Sequence, residues 1–491
     1  MTMGSPMQGA VGVSLRKGFT LLVGGAVVGQ AFAVAAAPLL SRLYAPSEFG
    51  VYATYAAVLS LLLVVASLRY EMAVPLPEDD PNATDLLALA LAAVLTTGFV
   101  TGIVVLVYAD VLTAVAGTPL LRGILWFLPL GVVAGGGGHV LGYWALRRKR
   151  FGTLSSVRGV QAAGQATVQI AGGLAQLGSA GLVVGSIVGQ ALSAALVYLR
   201  TRPPLGGTRP RRWPHAARKY RNFPLYATSG SLVDNVGLHA PVLLLTHAFG
   251  LEIAGHYALT FSLLNVPLIL VGQAAGQVLY SWVADNHRAN VDTARFVEQA
   301  SAWLLALALP AFAMVATNGP ELFSFVLGER WRPAGRLAQY LAPWFAISLV
   351  SAPLSGLVLA VGRQRAGFAY STVLVGLQLA GIGIGIWLKS AALAVALFSA
   401  AGAVVCISYI GWILSLAGSG FRAWLRGFRP ETLSRHALIL AWFAATALLG
   451  PVASIAAGLF GMVAFYSWLA WDALAGRPMH CSVLPRPGVS R

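Results

Sequence analysis

Fourteen long apolar runs constrain this chain more than any motif it carries. An α-helix rises about 1.5 Å per residue, so about 20 apolar residues cross a bilayer core roughly 30 Å thick. The runs cover residues 19–40, 49–68, 86–108, 123–146, 155–177 and 181–199. After a basic segment come 223–249, 253–283, 296–316, 337–361, 368–388 and 393–417, and after a second basic segment 433–449 and 452–474. None alternates polar and apolar residues as a barrel strand does. Lipid offers the backbone no hydrogen-bond partner, so helices remain as the spanning form. The expected fold is an all-α polytopic membrane protein of about 14 transmembrane helices, grouped as six, six and a C-terminal pair.

Composition enters as a check. Charged residues make up 10% of the chain, against about 25% in soluble domains. A water-facing surface cannot be covered with so few, which excludes soluble enzymes, secreted domains and disordered proteins. The net charge of +17 would suit nucleic acid only if the cations gathered on one face. Counted by loop with the N-terminus inside, 27 of the 33 Lys and Arg fall on the cytoplasmic side and 6 on the other. The positive-inside rule therefore places both termini in the cytoplasm, and no nucleic-acid partner is expected. Arg16, Lys17 and Ala33-Val34-Ala35 have the look of a signal peptide, but the spans that follow favour a retained first helix. Cys406 and Cys481 suggest neither a bridge nor a metal site.

The expected organisation is a cytoplasmic N-terminus (1–18), an N-lobe (19–199), a basic cytoplasmic linker (200–222), a C-lobe (223–417), a cytoplasmic loop (418–432), a helix pair (433–474) and a cytoplasmic tail (475–491). An internal repeat supports two lobes. Glu48-Phe49-Gly50-Val51-Tyr52-Ala53 follows the first run, and Glu252-Ile253-Ala254-Gly255-His256-Tyr257-Ala258 follows the seventh, so that Gly-x-Tyr-Ala recurs 205 residues later. Pro38 and Pro241 sit near the ends of the preceding runs. Because six is even, the lobes enter the membrane the same way, as pseudo-symmetric six-helix bundles.

Catalysis finds little to work with. Glu78-Asp79-Asp80 is the one carboxylate cluster, and it reads as a solvated loop whose Asn82 and Asp85 can cap the next helix. The longest outer loop, 317–336, has 20 residues, little for an enzyme that polymerises or ligates polysaccharide. There is no P-loop, no HExxH and no Cys/His metal spacing, so no cofactor is expected.

Polar residues inside apolar runs are costly, and each asks for a reason. Asp234 lies within the seventh, beside Asn235 and one turn from His239; Gln30 lies in the first, Gln165 and Gln169 in the fifth, and Asn265, Gln273 and Gln277 in the eighth. One reading is a polar cavity between the lobes with Asp234 and Glu71 as proton or sodium sites, so that an ion gradient drives transport. The other is that the amides bond neighbouring helices. Arg42 ends the first run, Arg69-Tyr70-Glu71 the second and Arg363-Gln364-Arg365 the tenth. A guanidinium fork suits a diphosphate, which Arg69 and Arg363 would capture if they face a cleft. Edge arginines also snorkel to lipid phosphates.

Four segments resemble the polysaccharide-transport branch of the multidrug/oligosaccharidyl-lipid/polysaccharide (MOP) exporter superfamily. They are Pro38-Leu-Leu-Ser-Arg42-Leu-Tyr-Ala-Pro46-Ser-Glu48-Phe-Gly50-Val-Tyr52; Leu68-Arg69-Tyr70-Glu71-Met-Ala-Val-Pro-Leu-Pro77; Tyr220-Arg-Asn-Phe223-Pro224-Leu-Tyr226; and Gly328-Glu-Arg-Trp331-Arg-Pro-Ala334-Gly335, leading to Pro343 and to Ala352-Pro353-Leu-Ser355. The resemblance covers roughly 15–420 and implies a MATE/MOP-like fold. It also implies a Wzx-like flippase for undecaprenyl-diphosphate-linked oligosaccharides of O-antigen, exopolysaccharide or capsule, using alternating access in the bacterial inner membrane. Glycosyltransferases and a polysaccharide polymerase would be its partners, beside membrane lipids. Such proteins have a cationic cavity. Spans one to twelve carry no clear mid-membrane Lys or Arg, so here Arg42, Arg69 and Arg363 would have to supply it. Substrate contacts are then expected from Arg42, Arg69, Arg363, Asn235, His239, Gln30, Asn265 and Gln273. A peptidoglycan-precursor flippase and a MATE-like cation-coupled antiporter are the alternatives on the same fold, and a membrane enzyme is the alternative outside it.

Overall fold

A computed structural model describes residues 6–474 except 273, 277–278, 280–292 and 429. It is helical, with no strand among the described residues. Among the described residues helices run through each of the fourteen apolar stretches, but 11 are long and apolar enough to cross a membrane, or 12 if one pair bent by 51° counts as a single span. The shortfall from 14 has two physical causes. The helix Phe151–Leu174 has the length, yet it carries Arg158, Gln161, Gln165 and Gln169 and so falls short on hydropathy. The helix Pro430–Thr446 has 17 residues, at the short end of what crosses a bilayer core. The chain is a multi-pass membrane protein.

Two compact units divide between Ala258 and Leu259. The first comprises α1 (Pro6–Leu43), α2 (Pro46–Ala66), α3 (Asp80–Ala116), the short α4 (Arg122–Leu125), α5 (Leu128–Arg147), α6 (Phe151–Leu174), α7 (Ser179–Thr201), the short α8 (Trp213–Lys219), α9 (Thr228–Phe249) and the start of α10 (Leu251–Pro267). Its core gathers Tyr55, Leu59, Leu86, Leu87, Val132 and Trp144 from α2, α3 and α5. The start of α3 is capped by Asp79, whose carboxyl accepts from the Asn82 backbone N–H and amide, at 3.4 and 2.8 Å. Those bonds favour the charged form and hold Asp79 below the usual carboxylate range. Asp85, expected as a cap, is instead buried and accepts the Arg209 backbone N–H at 2.8 Å.

Within this unit the two copies of the Gly-x-Tyr-Ala element meet. A Cβ on Gly50 would overlap the Leu251 carbonyl oxygen, and one on Gly255 would overlap that of Pro46 and lie 2.8 Å from the Gly50 nitrogen. The first turns of α2 and α10 therefore cross backbone to backbone, a separation that only glycine permits at these two positions. One turn further along, Thr54 and Thr246 pair their hydroxyls at 2.9 Å.

The second unit contains the rest of α10, α11 (Ala294–Leu327), α12 (Arg332–Ala360), α13 (Gln364–Trp387), α14 (Ala391–Leu416), the short α15 (Phe421–Gly427), α16 (Pro430–Thr446) and α17 (Pro451–Leu474). Phe345 and Trp344 on α12 anchor it, packing against Phe261, Phe312 and Phe398. Asn318 has non-helical backbone inside α11 and donates to Thr446 at 3.0 Å, so the kink docks α16. Tyr466 of α17 donates to the Leu307 carbonyl at 2.9 Å. The final pair is thus packed onto α11 rather than loosely appended.

Candidate functional site

The end of α2 sets up a cavity in the first unit. Leu68 and Arg69 both have positive φ, 50° and 58°, a conformation that costs a non-glycine residue about 1 kcal/mol or more. The reversal starts a tight turn over Tyr70–Ala73 and carries Glu71 inward, where its side chain is 3% exposed. A carboxylate cannot sit there unpartnered. Ser67 donates to Glu71, and the Arg69 guanidinium lies 3.5 Å from it, so the same groups that need the turn also hold it. Beyond the turn, Arg147 donates to the carbonyls of Pro77 (2.5 Å) and Pro75 (3.4 Å) and to the Asp80 carboxylate (3.0 Å), pinning the segment that leads into α3.

Arg69 and Glu71 line a cavity of about 620 Å³ between α2, α5, α6 and α7. Its polar lining also includes His139 and Tyr143 of α5, Arg158 and Gln161 of α6, and Gln190 and Ser193 of α7. Space comes from glycine: Gly135, Gly138 and Gly142 open one side of α5, and a Cβ on Gly142 would meet nothing within 4 Å. Two buried polar atoms here have no hydrogen-bond partner, the donor Arg69 Nε and the acceptor Gln190 Oε1. Such a group costs about 1–3 kcal/mol, and a ligand would recover it. Two guanidiniums against one carboxylate leave the cavity with a net positive charge. Such a lining offers positive charge and a donor to an anion, and an acceptor to a donor group. Among the described residues no three His, Cys, Asp or Glu are grouped to hold a metal.

Behind the cavity, α6 meets α7 as an amide stripe against a glycine stripe. Gln165 donates to the Tyr52 hydroxyl (3.3 Å) and Gln169 to the Leu182 carbonyl (3.0 Å), while side chains at Gly185 or Gly189 would run into Gln169 or Gln165. These two glutamines bond neighbouring helices. Sequence patterning had weighed that role for them against a place in a cavity.

Of the residues expected to touch substrate or ion, Arg69 and Glu71 share this cavity. Arg42 is exposed at the end of α1, and Gln30 is half-buried on the same helix. On α9, Asp234 is exposed, Asn235 donates to the Ser231 carbonyl of its own helix at 2.8 Å, and His239 is half-buried. Asn265 is half-buried and Arg363 exposed, both in the second unit. Gln273 lies outside the described residues. Reading the sequence missed His139, Tyr143, Arg158 and Gln190. Arg158 counts among the cytoplasmic-side cations of the charge balance, and His139 follows a run of four glycines. The spacing Gly135, Gly138, Gly142 marks one helix face and was the available signal.

Over 165 residues the chain is 21% identical to the teichuronic acid biosynthesis protein TuaB of Bacillus subtilis (strain 168); the match takes in 33% of this chain and 34% of that protein's length. Among solved structures, the lipid II flippase MurJ in an inward closed conformation superposes with a TM-score of 0.71 at 9% identity, covering 91% of this chain and 98% of that one. An inward-facing multidrug resistance MATE family transporter of the MOP superfamily gives 0.55 at 15% identity, covering 81% and 94%. These structural likenesses establish a MurJ/MATE-like fold. The polysaccharide biosynthesis protein family matches residues 39–336, more than half of the sequence, and the chain belongs to that family.

Proposed function

We propose that this protein is a flippase that carries undecaprenyl-diphosphate-linked oligosaccharides across the bacterial inner membrane by alternating access, for O-antigen, exopolysaccharide or capsule synthesis. Both termini face the cytoplasm on this reading. The observation that carries it is the net-positive cavity with the unpartnered Arg69 Nε at its wall. The planar guanidinium binds two phosphate oxygens at once, and Glu71 with Ser67 holds that plane in place. Arg158 supplies a second cation for the second phosphate, and Gln190 an acceptor for a sugar hydroxyl. Family membership and the fold support the reading. Glycosyltransferases would build the substrate and a polymerase would consume it.

The direct test is translocation of a fluorescent undecaprenyl-diphosphate oligosaccharide in proteoliposomes, run beside a peptidoglycan precursor. Transport of the first and not the second is expected; the reverse would move the protein to the alternative substrate. Gly142→Trp should stop transport with little change in thermal stability, because the indole enters space that no protein atom occupies within 4 Å of the Cβ. Normal transport in that variant would show that the cavity is not on the path.

A proton or sodium gradient is the proposed driving force. Asp234 is exposed within the span Phe223–Phe249, and a carboxylate there faces either water or a cation, since lipid exposure is costly. Asp234→Asn is expected to abolish gradient-dependent flipping while leaving downhill exchange. Unchanged gradient dependence would remove Asp234 from the coupling.

A further inference from the structure

The segment joining α7 to α9 has more structure than a tether. Its two ends leave the candidate spans Ser179–Thr201 and Phe223–Phe249 on one side of the membrane. Between them seven cations, from Arg202 to Arg221, are accompanied by no Asp or Glu. All seven are exposed, and none forms an ion pair among the described residues. The opposite side of the segment is fastened. The Arg209 N–H donates to buried Asp85, the Tyr70 hydroxyl donates to the Ala217 carbonyl at 3.5 Å, and Leu205, Ala216, Ala217 and Tyr220 pack on the core of the first unit.

From this we infer that the 202–221 segment is a preformed docking surface for anionic phospholipid headgroups. Three observations select that partner. Both ends of the segment emerge from spans, which keeps its cations at headgroup depth. Charge of one sign, unneutralised by the protein, needs an anionic complement. Trp213 is half-buried beside Arg211 and Arg212, and tryptophan favours the headgroup region. Each cation near an anionic membrane surface raises the local preference about fivefold, so five of them clustered at 209, 211, 212, 218 and 219 select strongly over zwitterionic lipid. Topology alone would need the charges and not their fixed arrangement. The consequence reaches the cavity, because Tyr70, which holds Ala217, directly follows Arg69. Lipid bound to the segment would steady the turn that presents Arg69.

The test uses the full-length protein in nanodiscs of phosphatidylcholine containing one-third phosphatidylglycerol, with a fluorophore on exposed His215→Cys in a Cys481→Ser background. Headgroup-quencher-labelled phosphatidylglycerol should quench it several-fold more than equally labelled phosphatidylcholine. The preference should vanish in 0.5 M salt (about a 4 Å Debye length) and fall sharply in the triple variant Arg211→Gln, Arg212→Gln, Arg218→Gln, while the corresponding lysine triple keeps it in full. Equal quenching by the two lipids would overturn the inference. So would a preference undiminished in the glutamine triple. Loss of the preference in the lysine triple as well would point to disturbed folding of the segment rather than to charge, and would also count against it. Stronger protection by a soluble polyglutamate peptide in pure phosphatidylcholine discs than by phosphatidylglycerol would reassign the surface to an acidic protein. The readout involves no transport, so it stands or falls separately from the flippase reading.

Discussion

Surface polysaccharide is expected to disappear when Arg69 is replaced by alanine, with the amount of protein in the membrane unchanged. A guanidinium–phosphate interaction of this kind is worth about 1.5–3 kcal/mol, or roughly 10- to 100-fold in headgroup affinity. The substitution also strands Glu71, which is buried with Ser67 as its remaining partner. Breaking such a pair costs about 3–5 kcal/mol, which is read as a lower melting temperature of the purified protein. Two further variants separate these effects. Arg69→Ala combined with Glu71→Gln removes the stranded charge; it should restore thermal stability and leave transport dead. Arg158→Ala removes an exposed cation that makes no ion pair among the described residues, and should weaken transport at normal stability. The measurements are polysaccharide yield in a complemented deletion strain, immunoblots of its membranes and melting of the purified protein. Normal polysaccharide in the Arg69→Ala strain would take Arg69 out of the binding site.

The second large effect falls on stability. Gly255→Ala places a methyl group against the Pro46 carbonyl and the Gly50 nitrogen, which are backbone atoms with no rotamer to change. Overpacking usually costs about 1–3 kcal/mol, and this site belongs at the upper end because relief requires α2 and α10 to separate. A drop of several degrees in melting temperature is expected for Gly255→Ala, and a similar one for Gly50→Ala. The double variant should cost less than the sum, since one displacement relieves both clashes. Gly142→Ala is the control and should be neutral, with no atom within 4 Å of its Cβ. An unchanged melting temperature for Gly255→Ala would mean that the two helices do not cross as closely as the structure has them.

The architecture was legible because hydropathy is a local property. Each run of apolar residues declares a helix from its own composition, and the described residues of all fourteen are helical apart from a turn or two at their ends and breaks. The count of membrane-crossing helices was less legible, because one of them, α6, spends its length on polar residues. Gln165 and Gln169 are satisfied by Tyr52 and the Leu182 carbonyl, partners that lie 113 and 13 residues away and that no periodicity reveals. The site divides in the same way. Arg69 and Glu71 stand two residues apart, and their ion pair could be suspected from the chain alone.

His139, Arg158 and Gln190 come from three helices and converge only when α5, α6 and α7 pack. The repeat shows the limit most plainly. Gly-x-Tyr-Ala recurs in the sequence, but nothing in it says that Gly50 and Gly255 touch. Sequence by itself determined that this chain lives in a membrane as helices, because solvent preference is written residue by residue. Tertiary structure alone decided which polar groups share a cavity and which glycines bear on each other, because those depend on distances between helices that only packing sets.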